Sequence, residues 1–137
     1  MGKSMVRNLM KAGFEVSIYT RTKSKVEDVI GEGAIWCDSV AECAKGRDAV
    51  ISIVGYPKDV IEVYFGPAGI LANADPGTYV IDMTTTSPKL AVQIFDEAEK
   101  LGLHAIDAPV TGGDSGAKAG TLTILAGGKK EDFDTCM

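Results

Sequence analysis

Four short stretches concentrate the residue types that hold a ligand: Thr20-Arg21-Thr22, Val54-Gly55-Tyr56-Pro57, Asp82-Met83-Thr84-Thr85-Thr86 and Asp107-Ala108-Pro109-Val110-Thr111-Gly112-Gly113. Hydroxyls supply a few oriented hydrogen bonds, and glycines let a backbone come close to a bound molecule. A guanidinium such as that of Arg21 can grip a phosphate through two donors or stack on a planar ring. Asp82 and Asp107 invite a reading as a paired acid and base. An aspartate that ends a parallel strand more ordinarily fixes the following loop by hydrogen bonds, and that is the role expected of both. No metal site is expected, because Cys37, Cys43 and Cys136 make no CxxC spacing and His104 is the single histidine. Reduced, structurally incidental thiols fit that pattern.

These stretches can act together only if the fold gathers them, and hydrophobic periodicity says how. Met5, Val6, Leu9 and Met10 recur at helical spacing from Lys3, and Gly13 supplies a left-handed residue that closes the helix at about Ala12. Phe14 to Tyr19 alternates with the period of a strand. A short helix near Lys25–Gly31 and a brief strand at Ala34–Trp36 follow, and Ser39 with Glu42 fits a capping box opening another helix. Asp48 to Val54 is a near-continuous apolar run, as expected of a parallel strand covered on both faces. Pro57 suits the first turn of the next helix. Tyr79–Asp82 repeats the buried-strand pattern, Ser87-Pro88 starts a long helix ending near Gly102, and His104–Asp107 is a further strand. Beyond a glycine-rich loop, Leu122–Ala126 reads as the last strand, Gly127-Gly128 as a turn and Lys130–Phe133 as the start of a helix. Alternation of this kind predicts right-handed βαβ units and an α/β fold with a doubly wound, mostly parallel sheet. In such sheets ligands bind beyond the carboxyl ends of the strands, which is where all four stretches fall.

Length and charge narrow the function. The 137 residues fit one domain, and 45% hydrophobic with 24% charged residues suits a globular protein with a real core. Fourteen basic against nineteen acidic residues leave a net charge of -5 with no long like-charge run, so nucleic acid is not an expected partner. No apolar stretch approaches the roughly 20 residues that cross a bilayer. The first residues also lack the apolar segment of a signal peptide. No membrane partner and a cytoplasmic location are expected.

A more specific pattern lies in three segments. Asp82 to Pro88, Asp107 to Gly113 and Gly116 to Thr123 resemble, in order and spacing, three successive signatures of the β-hydroxyacid dehydrogenases of 3-hydroxyisobutyrate type. The nucleotide-binding domain of that family is of the 6-phosphogluconate dehydrogenase kind. Lys11-Ala12-Gly13 with Val16 to Thr22 resembles its first helix, second strand and strand exit, with Thr20 in place of the usual asparagine. The resemblance covers essentially the whole chain and implies a Rossmann domain. It also implies a strand–GxGxMG–helix start, in which the pyrophosphate meets glycine backbone at a helix N-terminus. Met1-Gly2 match only the last two residues of that motif. On this alignment the first strand, central in the order 3-2-1-4-5-6, would precede Met1, and the sheet is expected to lack it. A misassigned start, an artificial cut or a strand donated by another chain would each produce that situation.

Site residues follow from the resemblance one by one. Gly2 corresponds to the pyrophosphate-binding start. Thr20, Arg21 and Thr22 stand where a carboxylate would select NAD; a guanidinium and hydroxyls there favour the 2′-phosphate of NADP, with NAD the alternative. Thr84 and Thr85 correspond to residues on the nicotinamide side, and Val54, Gly55 and Tyr56 line the same cleft, Tyr56 replacing a proline or small residue. Thr111, Gly112 and Gly113 correspond to a Ser-Gly-Gly that holds the carboxylate of a small substrate. No catalytic acid or base is expected within the chain, because the family's lysine would lie beyond Met137, in a C-terminal helical domain that also serves dimerisation. The chain is therefore expected to be an incomplete nucleotide-binding domain of a homo-oligomeric enzyme. The implied reaction is hydride transfer between NAD(P) and a β-hydroxy acid or its semialdehyde. The alternative is a truncated, non-catalytic nucleotide-binding or interaction module.

Overall fold

The computed structural model describes residues 2–20, 22–54, 57–84, 88–111, 117, 120, 123–124, 127–131 and 134. Three of its helices hand over to strands by one device. Helix α1 (Gly2–Lys11), α2 (Glu27–Gly31) and α6 (Pro88–Lys100) are followed by Gly13, Gly33 and Gly102, all with positive φ. In each case the amide after the glycine reaches five residues back, from Phe14 to the Leu9 carbonyl (3.2 Å), Ala34 to Val29 (3.1 Å) and Leu103 to Ala98 (2.9 Å). The glycine amides close the inner bond to Met10, Ile30 and Glu99, so carbonyls that the helix end would orphan are satisfied. Strands β1 (Ser17–Ile18), β2 (Ile35–Trp36) and β5 (His104–Asp107) follow within a few residues.

This device also explains why β1 is shorter than the alternation of Phe14 to Tyr19 predicts. The Phe14 amide is committed to the helix-ending turn and its ring is 64% exposed, so strand pairing begins only at Ser17. At α3 (Val40–Ala44) the Ser39 hydroxyl accepts from the Glu42 amide (3.1 Å). The Glu42 carboxylate reaches one residue beyond the cap, accepting from the Asp38 amide at 2.9 Å.

Strand β3 (Ala49–Ser52) pairs in parallel with β4 (Tyr79–Asp82), and β4 with β5. The polar stretch before α2 contains a 3₁₀ turn at Lys23–Lys25, and α5 (Ile70–Asn73), which the sequence reading did not separate, buries Ile70 and Leu71 beside α4 (Pro57–Tyr64). One face of the three-stranded sheet carries the larger core, in which Val60 and Tyr64 of α4 and Leu90, Ile94 and Ala98 of α6 pack with Val80 and Ala105. On the other, Met5 of α1 packs with Ile81, Met83 and Ile106. Strands β1 and β2 form a separate parallel pair, and no described strand joins β1 to β3.

The last strand is the antiparallel one of a mostly parallel set. Thr123–Ile124 (β7) runs antiparallel to Val110–Thr111 (β6), a strand within the segment read as a glycine-rich loop, and Gly127 bridges Asp107 in the same sense. Eleven residues separate Thr111 from Thr123, fewer than the roughly dozen or more, usually with a helix, that a parallel crossover takes. Among the described residues no helix is long and apolar enough to cross a membrane.

Gly102 tests the helix-ending device. At φ 76° a side chain would meet only ordinary contact, the Pro76 Cβ at 3.6 Å, so the cost of Gly102→Ala is conformational. A loss of about 1–2 kcal/mol is expected in urea unfolding, the cost of a left-handed alanine. An unchanged unfolding free energy would mean that the turn relaxes into another conformation.

Candidate functional site

In-register pairing sets Ser52 opposite Asp82 and Asp82 opposite Asp107, so the last residues of β3, β4 and β5 form one polar row across the sheet. Alternate residues of a strand share a face. The row therefore lies on the side of Val50, Val80 and Ala105, the side covered by α4 and α6. The Ser52 hydroxyl sits 2.6 Å from the Tyr64 hydroxyl and 3.1 Å from Asp82 Oδ1. Since serine has one proton and the carboxylate oxygen is an acceptor, Ser52 donates to Asp82 and Tyr64 donates to Ser52.

Asp82 Oδ1 also accepts from the Thr84 amide (3.0 Å), and the Thr84 hydroxyl accepts from the Val54 amide (2.9 Å). Two backbone bonds extend the lacing, from the Met83 amide to the Ser52 carbonyl and from the Ala108 amide to the Asp82 carbonyl, both 2.8 Å. The exits of β3, β4 and β5 are thus tied side by side. Thr84 is only 3% exposed, so within this arrangement it joins two strand exits from the inside.

Burial pushes the Asp82 carboxyl above the usual carboxylate range, against hydrogen bonds from Thr84 and Ser52 that favour the charged form. Asp107 is raised for the same first reason, with the Asp82 charge adding to it. Burial likewise raises the Tyr64 phenol, which keeps it a donor. These environments agree with the expected structural role for Asp82, whose Oδ1 fixes the next turn. Away from this row, burial and then the neighbouring Cys37 push the Cys43 thiol up to about 12, and both cysteines are free. Among the described residues no cluster of histidine, cysteine and carboxylate could hold a metal ion.

Gly2 heads α1, whose first turn carries no acidic residue, as a helix start that meets an anion requires. Thr20 is half-buried and Thr22 is exposed at the cap of the 3₁₀ turn. Beside them the Lys23 ammonium lies 5.5 Å from the centre of the Trp36 ring, which packs against Tyr19. Val54 is directly bonded to Thr84, and Thr111 lies in β6. Arg21, Gly55, Tyr56, Thr85, Gly112 and Gly113 lie outside the described residues.

Sequence reasoning missed Ser52 and Tyr64; the available signal was a lone hydroxyl inside an apolar strand. It also missed Asn8, whose side-chain amide donates to the Ala117 carbonyl at 2.6 Å and ties α1 to the segment after β6.

A parallel sheet with helices on both faces and its strand exits tied side by side is the α/β architecture that binds ligands beyond the carboxyl ends of its strands. The chain belongs to the family described as the NAD binding domain of 6-phosphogluconate dehydrogenase, whose profile matches residues 1–137. It is 53% identical over its whole length to the uncharacterized oxidoreductase YkwC of Bacillus subtilis, covering 48% of that protein. The 3-hydroxyisobutyrate dehydrogenase of Mycobacterium tuberculosis, solved with L-serine, superposes with a TM-score of 0.92 at 30% identity, over 99% of this chain and 46% of that one. Psf3 in complex with NADP+ and 2-OPP gives a TM-score of 0.93 at 26% identity, over 98% of this chain and 48% of that one. The chain therefore spans about half the length of these relatives.

The raised carboxyls predict a pH dependence of stability. A folded carboxyl that holds its proton more tightly than the unfolded chain stabilises the fold below the ordinary value of about 4. That contribution is lost as pH rises through the folded value. Urea unfolding of the wild type and Asp82→Asn at about pH 4 and about pH 7 should show the wild type losing more stability than the variant over this window. Parallel pH profiles would contradict the raised Asp82.

Proposed function

We infer that this chain is the cofactor-binding part of an NAD(P)-dependent oxidoreductase acting on a β-hydroxy acid or its semialdehyde, of the 3-hydroxyisobutyrate dehydrogenase kind. The observation that carries the reading is the tied pair of strand exits, Val54 bonded to Thr84, in a chain whose whole length matches an NAD-binding family. Gly2, Thr20, Arg21, Thr22, Val54, Gly55, Tyr56, Thr84 and Thr85 are the residues that would hold the dinucleotide. Thr111, Gly112 and Gly113 would hold the carboxylate of a small substrate through neutral donors. When bound, the nicotinamide supplies the hydride chemistry, while the chain supplies binding and orientation.

The proton donor or acceptor belongs to a helical domain beyond this chain, which also completes the cleft and a homo-oligomeric, cytoplasmic enzyme. NADP is the preferred cofactor in this reading. Arg21 and Lys23 add positive charge in the sequence that follows β1, where a carboxylate would repel a 2′-phosphate.

Titration with NADPH and NADH, followed by nicotinamide fluorescence, tests this. NADPH should bind more tightly, and Arg21→Ala should weaken it by about tenfold or more, the worth of one charge-assisted phosphate contact, with little change for NADH. Binding of neither nucleotide would remove the reading, and equal binding of both would remove the NADP preference.

A further inference from the structure

A buried carboxylate is a costly way to end a strand. One residue earlier, β3, β4 and β5 use isoleucine at the same rank, Ile51, Ile81 and Ile106. Ser52 and Asp82 are both under a tenth exposed, and with Tyr64 they form a polar chain inside an otherwise apolar layer. That chain links three elements and brings two donors onto one oxygen. Tyr64 anchors it in α4, Ser52 carries it through β3, and Asp82 Oδ1 delivers it to the Thr84 amide at the exit of β4. Thr84 passes it to the Val54 amide at the exit of β3.

We propose that Asp82 is a positioning residue for the cofactor cleft: acting through Thr84, it holds the exits of β3 and β4 at one separation and keeps the Thr84 and Val54 amides turned inward. Without its Oδ1 the Thr84 amide loses the acceptor that holds it, and the Thr84 hydroxyl is no longer fixed over Val54. A fully satisfied branch of this kind selects one backbone arrangement where apolar packing alone would allow several. The assignment rests on the nucleotide-binding reading for its purpose, and on the hydrogen bonds for its mechanism.

The two carboxylate oxygens have different surroundings. Oδ1 takes both donors, whereas Oδ2 is buried with no hydrogen-bond partner among the described residues. A proton on Oδ2 leaves the Oδ1 bonds in place, so the device needs the acceptor oxygen rather than the charge. Among the described residues, the titratable groups around Asp82 are Tyr64 from α4, Asp107 from β5 and Lys129 from the segment after β7, which lines a groove of about 480 Å³ together with Asp82 and Asp107. The α6 side chains lining that groove are apolar, Ile94 and Phe95 among them. Asparagine, which keeps one carbonyl-type oxygen, should therefore replace aspartate, and alanine should not.

Amide hydrogen exchange of the protein without nucleotide reads the positioning directly. Asp82→Ala should speed exchange at Thr84 and Val54 by about tenfold, while Asp82→Asn stays within about threefold of wild type, the span expected for one buried hydrogen bond. Val80 and Ala105, within the same strands, should keep their protection in both variants. Unchanged exchange at Thr84 and Val54 in Asp82→Ala, or equal loss of protection in Asp82→Asn, overturns the proposal. Should Asp82→Ala fail to fold, Asp82→Asn must still protect both amides and Ser52→Ala must partly release them; otherwise the proposal fails. NADPH affinity measured on the same samples separates the two readings. A wild type that binds no NADPH counts against the nucleotide-binding function, with the exchange result still deciding the positioning. A wild type that binds, with Asp82→Ala binding equally tightly, overturns the positioning role.

Discussion

Parallel strands in register place residues of equal rank at equal height, and a side-chain period of two decides which face each rank serves. In β3, β4 and β5 this constraint sets a row of isoleucines at one height and Ser52, Asp82 and Asp107 at the next. The rest of the ligand end depends on that alternation. A slip of one residue in β4 alone would turn Asp82 toward α1 and bring Ile81 beneath Tyr64. It would also undo the bonds from Ser52 to Asp82 and from Val54 to Thr84 together.

The remainder of the domain holds this register. The face under α4 and α6 carries the larger apolar cluster, and Tyr64 serves it twice, with its ring in the core and its hydroxyl on Ser52. On the opposite face Met5 brings α1 against Ile81, Met83 and Ile106, yet Ile51 remains 44% exposed. Surface ion pairs of Arg7 with Asp28 and Glu32, and of Lys3 with Asp28, join α1 to α2 and its C-cap. Exposed pairs of this kind orient more than they stabilise. The glycine-terminated helices set where each strand begins, so the same turns that end α1, α2 and α6 fix the distance from helix to strand exit.

How much of this was legible in the sequence depended on whether the cause was local. Tyr79–Asp82 and His104–Asp107 were found with their exact limits, because buried apolar runs bounded by turns leave little choice. Gly13 and Gly102 were readable as helix ends for the same reason. Phe14 misled, since alternation counts it as strand while the helix-ending turn takes its amide. The antiparallel pairing of Val110–Thr111 with Thr123–Ile124 escaped because a strand's own pattern does not state its direction. At the site, the threonines and glycines of the exits stood out by type. The link from Tyr64 through Ser52 to Asp82 did not, because it joins a helix and two strands whose contact no periodicity encodes.

In the proposed function, the tied exits of β3 and β4, with the exit of β1 and the start of α1, would form the cradle for a dinucleotide. A crystal structure of the protein with NADPH tests it most directly. The cofactor should lie across those exits, with the nicotinamide end beside Val54 and Thr84 and the adenosine end beside Thr20 and Thr22. Density for the nucleotide elsewhere, such as in the groove beneath α6, would contradict it.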